Sequence, residues 1–338
     1  MSKLGRQTYD FTQNPVYVAG TGTVAGQVES DGPLGQCFDV RHANDRIDGD
    51  TWEHSEQRMF GQAAQIAMQK ANLTSEQIDV LIGGDLNAQL TGFYFGLRPF
   101  PAPSLGVYSA CASICEALTI GSVLVSTGYA ENALVGTSSH TSTAERQFRY
   151  PTEYGAQKPP TAQRTVTGAG MALLTNTRKQ IEVTHATVGR VVNYGVTSPW
   201  EMGAAMAPAA ADTLLCHMRD TNRTFADYDC IATGDLGDIG HTLLKELLKE
   251  KGISELNQLT DCGMLVYDKT QREVFSGGSG GACCTIVTFG HLLGKLLDGQ
   301  WKRILVSATG ALLSTVSAQQ HDAIPSISHA VVFERKEG

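Results

Sequence analysis

The sequence predicts an internally duplicated α/β fold. Two observations carry that expectation: strands and helices alternate along 338 residues, and one helix–loop–strand unit is written twice. Val16 to Ala19 reads as a strand. Trp52 to Ala71 reads as a helix, with Met59, Ala63, Ile66 and Ala67 on one side. Thr74 and Gln77 have capping-box spacing, and the short strand Val80 to Ile82 ends at Gly83-Gly84-Asp85-Leu86. In the second half Ala209 to Arg219 has a helical pattern, and Asp229 to Thr233 leads into Gly234-Asp235-Leu236. Thr74, Asp79, Gly84, Asp85 and Leu86 recur as Thr224, Asp229, Gly234, Asp235 and Leu236, each 150 positions later.

A second correspondence aligns the segment 113–139 with 284–310, placing Leu134-Val135 on Leu305-Val306 at an offset of 171. Both run from a small-residue helix through a Gly-containing turn into a β-rich strand. The polar stretch Asn176-Thr177-Arg178-Lys179 then separates the halves, 1–178 and 179–338. Two sheets packed pseudo-symmetrically, with helices on their faces, are expected.

Composition excludes several classes. A formal charge of −8, with no basic run, argues against a nucleic-acid partner. The first fifteen residues lack an apolar core, so no secretory signal is expected. The most apolar stretches are interrupted by Glu116, Ser122, His291 and Lys295, which leaves no transmembrane helix and predicts a soluble or peripheral protein. The eight cysteines read as thiols of a reducing compartment, and neither Cys111-x3-Cys115 nor Cys283-Cys284 has zinc-site spacing. Gly20-Thr21-Gly22 to Gly26 mimics a dinucleotide fingerprint, but its spacing is wrong and the continuation to Gly35 cannot be the required helix. No cofactor is implied.

The candidate site lies in the first half. A strand from Ser104 to Tyr108 delivers Ser109-Ala110-Cys111-Ala112-Ser113 to the start of a helix running to about Ser126. A cysteine there meets unpaired N–H groups and the positive end of the dipole, which favour thiolate. It is read as a nucleophile or as a packed thiol. His140 follows two serines and is read as facing the site or filling the core. Arg146, Arg149 and Arg164 fall in a long loop, where solvated surface is the default.

Small-Cys-small at the head of an Ala-rich helix resembles the nucleophile segment of thiolases and β-ketoacyl synthases, as does the following 128–139 strand. Thr165 to Leu174 and Arg303 to Leu313 resemble further strands of that superfamily. The resemblance implies a thiolase-like αβαβα five-layer fold and a homodimer, with the strand around Ala133 to Gly136 or its neighbours near the contact. It also demands a His after the strand matching Asp229 to Thr233, and an Asn or His near residue 278. The chain instead has Gly234-Asp235-Leu236-Gly237-Asp238 and Ser276-Gly277-Gly278-Ser279-Gly280-Gly281.

One branch has this pattern. The segments 138–155, 202–213, 277–284 and 331–335 resemble the stage V sporulation protein AD family. That resemblance implies binding of dipicolinic acid, alone or as its calcium chelate, for uptake into the developing spore. It implies membrane proteins of the same operon as partners, at the forespore or spore inner membrane, and no acyl-transfer catalysis. The expected ligand-binding residues are Cys111, Asp85, Asp235, Ser279, Gly278 and His140. The glycines of 277–281 are read as an N–H nest for a carboxylate. Asp85 and Asp235 are read as oxygen ligands to the chelate's calcium or as helix caps. The rival expectation is an acyl-CoA-dependent acyltransferase using Cys111, with His140, His241 or His321 as base.

Overall fold

A computed structural model describes residues 2–49, 51–148, 158–271 and 273–337. Each half supplies five main strands. The first half gives β1 (Val16–Ala25), β2 (Val80–Gly84), β3 (Ser104–Gly106), β4 (Asn132–Ser139) and β5 (Gly168–Thr175). The second gives β6 (Ile181–Thr187), β7 (Cys230–Thr233), β8 (Leu259–Asp261), β9 (Arg303–Ala311) and β10 (Ser326–Arg335). Their order is β3-β2-β4-β5-β1 followed by β6-β10-β9-β7-β8, one topology and its reverse. The duplication read from the sequence is therefore a duplication of topology.

The two expected sheets are joined into one. β1 and β6 pair antiparallel over three residues, Val16 to Val18 against Val183 to Ile181, and carry the ladder across the centre. The fold is still layered, because both faces of the sheet are covered. Along β4, Leu134 faces an outer core with Met59, Phe60 and Ala63 of α1 (Trp52–Ala71). Its neighbour Val135 faces a central core with α3 (Ser113–Ser126) and α7 (Gly281–Val287), reached once α2 (Thr91–Gly96) has covered the outer side. Between them in the chain come α4 (Thr141–Phe148), α5 (Met202–Thr221) and α6 (Gly237–Glu250). α5 and α6 cover Ile231, Leu305 and Val332 on the far side. Burial on both faces is why the strands read as continuous apolar runs instead of alternating ones.

The repeated residues do matching local jobs. Thr74 and Thr224 both close capping boxes at short 3₁₀ turns. Asp79 accepts the backbone N–H groups of Glu131 and Asn132, and Asp229 those of Lys302 and Arg303. Each aspartate thereby fastens one strand start to the next strand. Asn72 and Asn222 both end their helices in the left-handed region, at φ 58° and 53°. Gly20 and Gly22 serve packing, since a Cβ at Gly22 would lie 2.1 Å from the Ala63 carbonyl of α1.

The strand around Ala133 to Gly136 is interior, paired to β2 on one side and β5 on the other. The edge strands of the main ladder are β3 and β8. No helix among the described residues is long and apolar enough to cross a membrane. All eight cysteines are free.

Candidate functional site

Cys111 sits on a tight elbow between β3 and α3. Ala110 immediately before it has φ +50°, a conformation that costs a non-glycine residue of order 1 kcal/mol. Surroundings hold it there. The Ser113 hydroxyl accepts from the Ser109 N–H and donates to the Ala110 carbonyl. Gly310 of β9 makes room, since a Cβ there would lie 2.1 Å from the Ser109 carbonyl.

The second half closes over this elbow. Asp235, beyond β7, is buried and accepts the Thr309 hydroxyl at 2.7 Å and the Gly280 N–H at 3.0 Å. Its carboxyl and the Ser279 hydroxyl both face the Cys111 sulfur. Ser279 belongs to a two-residue strand, Gly278–Ser279, paired in parallel with Arg164–Thr165. Gly277 and Gly280 flank it at φ +127° and +105°, backbone that only glycine adopts freely.

These contacts reverse the expectation of a thiolate. Burial, then the charge of Asp235, hold the Cys111 thiol well above its ordinary range, outweighing the Gly280 N–H and Ser279 hydroxyl. Burial pushes Asp235 itself up to about 7, against the stabilising Thr309, Cys111 and Gly280 contacts. The glycine segment is not an open nest either. The Gly280 amide holds a carboxylate, but that of Asp235, and the Gly277 N–H is spent on the Val274 carbonyl.

A pocket of about 40 Å³ opens beside the sulfur, room for roughly one to three waters. Cys111, Thr165 and Ser279 give it polar surface. Leu86, Tyr108, Phe148, Met202 and Leu313 form most of the apolar wall, with Ala110, Ala144 and Ala311 between them. No Lys, Arg or His is among these lining residues. Burial above all pushes the Tyr108 phenol up to about 12, so it is a neutral wall.

Asp235 stands behind the wall and is not among the lining residues, and the remaining expected residues also lie off it. Asp85 accepts the Asn87 and Phe93 N–H groups, at 2.6 and 2.7 Å, and so shapes the turn into α2. Burial, then the nearby Glu56 charge, raise it to about 7. Its neighbour Leu86 is what reaches the pocket. Gly278 gives its carbonyl to Gln163. His140 is buried, donates from Nε2 to the Asp45 carbonyl and accepts the Ser142 N–H on Nδ1, which ties α4 to the 42–47 segment. His241 and His321 are absent from the lining too. Arg146 stacks over Trp52 and pairs with Glu53. Arg164 is half-buried rather than solvated, pairing with Glu273 at 3.8 Å while its Nε is buried without a partner. Arg149 lies outside the described residues. Among the described residues no three His, Cys, Asp or Glu side chains converge to hold a metal ion.

The sequence reading missed Tyr108, Phe148, Thr165, Met202, Leu313, Thr309 and Gln163. They come from separate segments, and no spacing could have joined them. Leu86 alone carried a signal, as the last residue of the repeated Gly-Asp-Leu.

The family model for stage V sporulation protein AD matches residues 5–334 of this chain. The chain belongs to that family. The stage V sporulation protein AD of Bacillus subtilis (strain 168) is 47% identical over 339 residues, covering 100% of this chain and 99% of that protein. Solved structures of the thiolase fold align along nearly the whole length. 3-Oxoacyl-[acyl-carrier-protein] synthase III of Aquifex aeolicus VF5 aligns at TM-score 0.60 and 16% identity, over 94% of this chain and 99% of that one. Human mitochondrial 3-ketoacyl-CoA thiolase in complex with CoA gives 0.57 and 12%, over 96% and 98%. At such identities the stage V sporulation protein AD family shares the fold of these enzymes, and the likeness says nothing further about its chemistry.

Proposed function

We propose that this sporulation protein binds dipicolinic acid, alone or as its calcium chelate, in the Cys111 pocket during uptake into the developing spore, without acyl transfer. The observation that carries the reading is the buried Asp235 carboxyl beside a protonated Cys111 thiol. Acyl transfer to cysteine needs a thiolate or a base, together with free oxyanion donors. Here burial and then the carboxyl charge suppress the thiolate, and the carboxyl occupies the Gly280 amide.

The pocket chemistry suits a flat aromatic ring between Tyr108, Phe148 and Leu313, with the Thr165 and Ser279 hydroxyls for its oxygens. A free dianion would be repelled by the nearby Asp235 carboxyl, and no Lys or Arg is found among the described lining residues. The calcium chelate brings its own countercharge and is the form we favour, with Asp235 proposed as an oxygen ligand to the calcium once its Thr309 or Gly280 contact opens. The pocket is smaller than the ligand, so Phe148, Met202 and Leu313 at its apolar wall must yield. Asp85 acts indirectly, by setting Leu86. Membrane proteins of the same operon are the proposed partners, at the forespore or spore inner membrane. A homodimer through the β3 edge completes the reading, and light scattering at micromolar concentration tests it.

Calorimetry with dipicolinate, with and without Ca²⁺, tests the ligand. Intact mass after incubation with acyl-CoA tests the chemistry. Binding without an adduct is expected. An acyl adduct on Cys111 would instead establish the transferase reading, with Asp235 as the base that no histidine supplies.

A further inference from the structure

Gln163 stands behind the pocket wall and touches both loops that face Cys111. Its Nε2 donates to the carbonyl of Asp235 at 2.6 Å and to that of Gly278 at 3.2 Å. The side chain is 1% exposed, and its Oε1 is buried without a partner. The amide orientation is fixed by this pattern, because the flipped form would set Oε1 against two carbonyl oxygens. An unsatisfied buried acceptor is costly, and it is tolerated here where one donor group bridges two loops.

The backbone around Gln163 reinforces the bridge. The Ser276 N–H donates to the Ala162 carbonyl, Arg164 N–H to Gly277 and Val166 N–H to Ser279. Gly237 packs directly on the amide: a Cβ there would lie 3.0 Å from Nε2 and 2.6 Å from the Ser276 carbonyl. A segment of the first half thus aligns two loops of the second half, one ending in Asp235 and the other in Ser279.

We propose that Gln163 is a positioning residue for the pocket, its side-chain amide fastening the Asp235 loop to the Gly278–Ser279 strand so that both stay against Cys111. Its ligand readout rests on the binding function proposed above; its thiol readout does not.

The test is site-resolved alkylation by N-ethylmaleimide, followed by peptide mass spectrometry on the full chain. Cys115 and Cys283, both buried, report general loosening. In Gln163→Leu, Cys111 is expected to react about 10-fold faster, the scale of one lost hydrogen bond, with Cys115 and Cys283 unchanged. Gln163→Glu should react fast at pH 8 and approach the wild-type rate at pH 6, where a protonated carboxyl regains one donor. Calcium dipicolinate should bind both variants about 10-fold more weakly at pH 8. An unchanged Cys111 rate in folded Gln163→Leu overturns the proposal, and so does a joint rise at all three cysteines. If wild type binds no dipicolinate, the functional reading fails, while the alkylation rates still decide the role of Gln163.

Discussion

Asp85 and Asp235 occupy the same place in the two copies of one unit, yet they have different partners. Both follow the second strand of their half, and both are buried with carboxyls raised to about 7. Asp85 spends its oxygens on local amides, those of Asn87 and Phe93. Asp235 spends its oxygens on distant segments, Thr309 and Gly280, and faces Cys111. The local capping that Asp85 performs is done in the second half by Asp261, which accepts the Leu236 and Gly237 N–H groups. A helix neighbour differs as well: Glu56 of α1 corresponds, at the 150-residue offset, to Met206 of α5. Duplication kept the strand-end aspartate. Its surroundings decided whether it became a cap or an acid held against Cys111.

The largest expected effect separates the two directly. Asp85→Arg forces a long side chain into a buried turn and strips two amides of their acceptor, at a cost of about 3–5 kcal/mol. Denaturant unfolding should show that loss, and ligand binding should vanish with the Leu86 wall. Were Asp85→Arg as stable as wild type, its role as a cap would be wrong.

Acid should expose a second asymmetry. His185 and His217 are buried, and burial lowers them from an unfolded 6.5 to about 4 and about 3. A depressed histidine favours folding above pH 6.5, and that contribution disappears as pH falls toward the folded value. The loss is on the order of 3 kcal/mol per histidine by pH 4. The raised carboxyls work oppositely: Asp85 and Asp235 favour the fold below pH 3.8 and lose that contribution as pH rises through about 7. Replacing His217 by Gln should flatten the acid limb of a stability–pH curve. An unchanged limb would show that His217 does not titrate with unfolding.

Asp235→Asn should act on chemistry more than on stability. Removing the carboxyl charge takes away one of the causes that raise the Cys111 thiol, so alkylation at pH 8 should be faster than in wild type. Asp85→Asn should leave that rate unchanged, and equal acceleration in both variants would erase the distinction between the two aspartates. The smallest effect is a test of equivalence. Asp79→Ala and Asp229→Ala each remove one acceptor of two backbone amides, and both should cost about 1 kcal/mol. Unfolding free energies that differ by much more would mean that the two strand-start clamps are not alike.

The sequence by itself determined the frame. The helix over Trp52 to Ala71, the capping box at Thr74, the paired Thr, Asp and Gly-Asp-Leu positions and the elbow at Cys111 all rest on interactions between residues near one another in the chain. Periodicity and spacing report such interactions, because the partners are a helix turn or a short loop apart. Tertiary structure decided the site. Whether Cys111 would be thiolate or thiol depended on Asp235, 124 positions away, and on burial that no local pattern encodes. Whether the glycines of 277–281 would be an open nest depended on the same carboxyl. Whether two sheets would stay separate depended on three residue pairs between β1 and β6. Each is a contact between distant segments, and its energy exists only once the whole chain has brought them together.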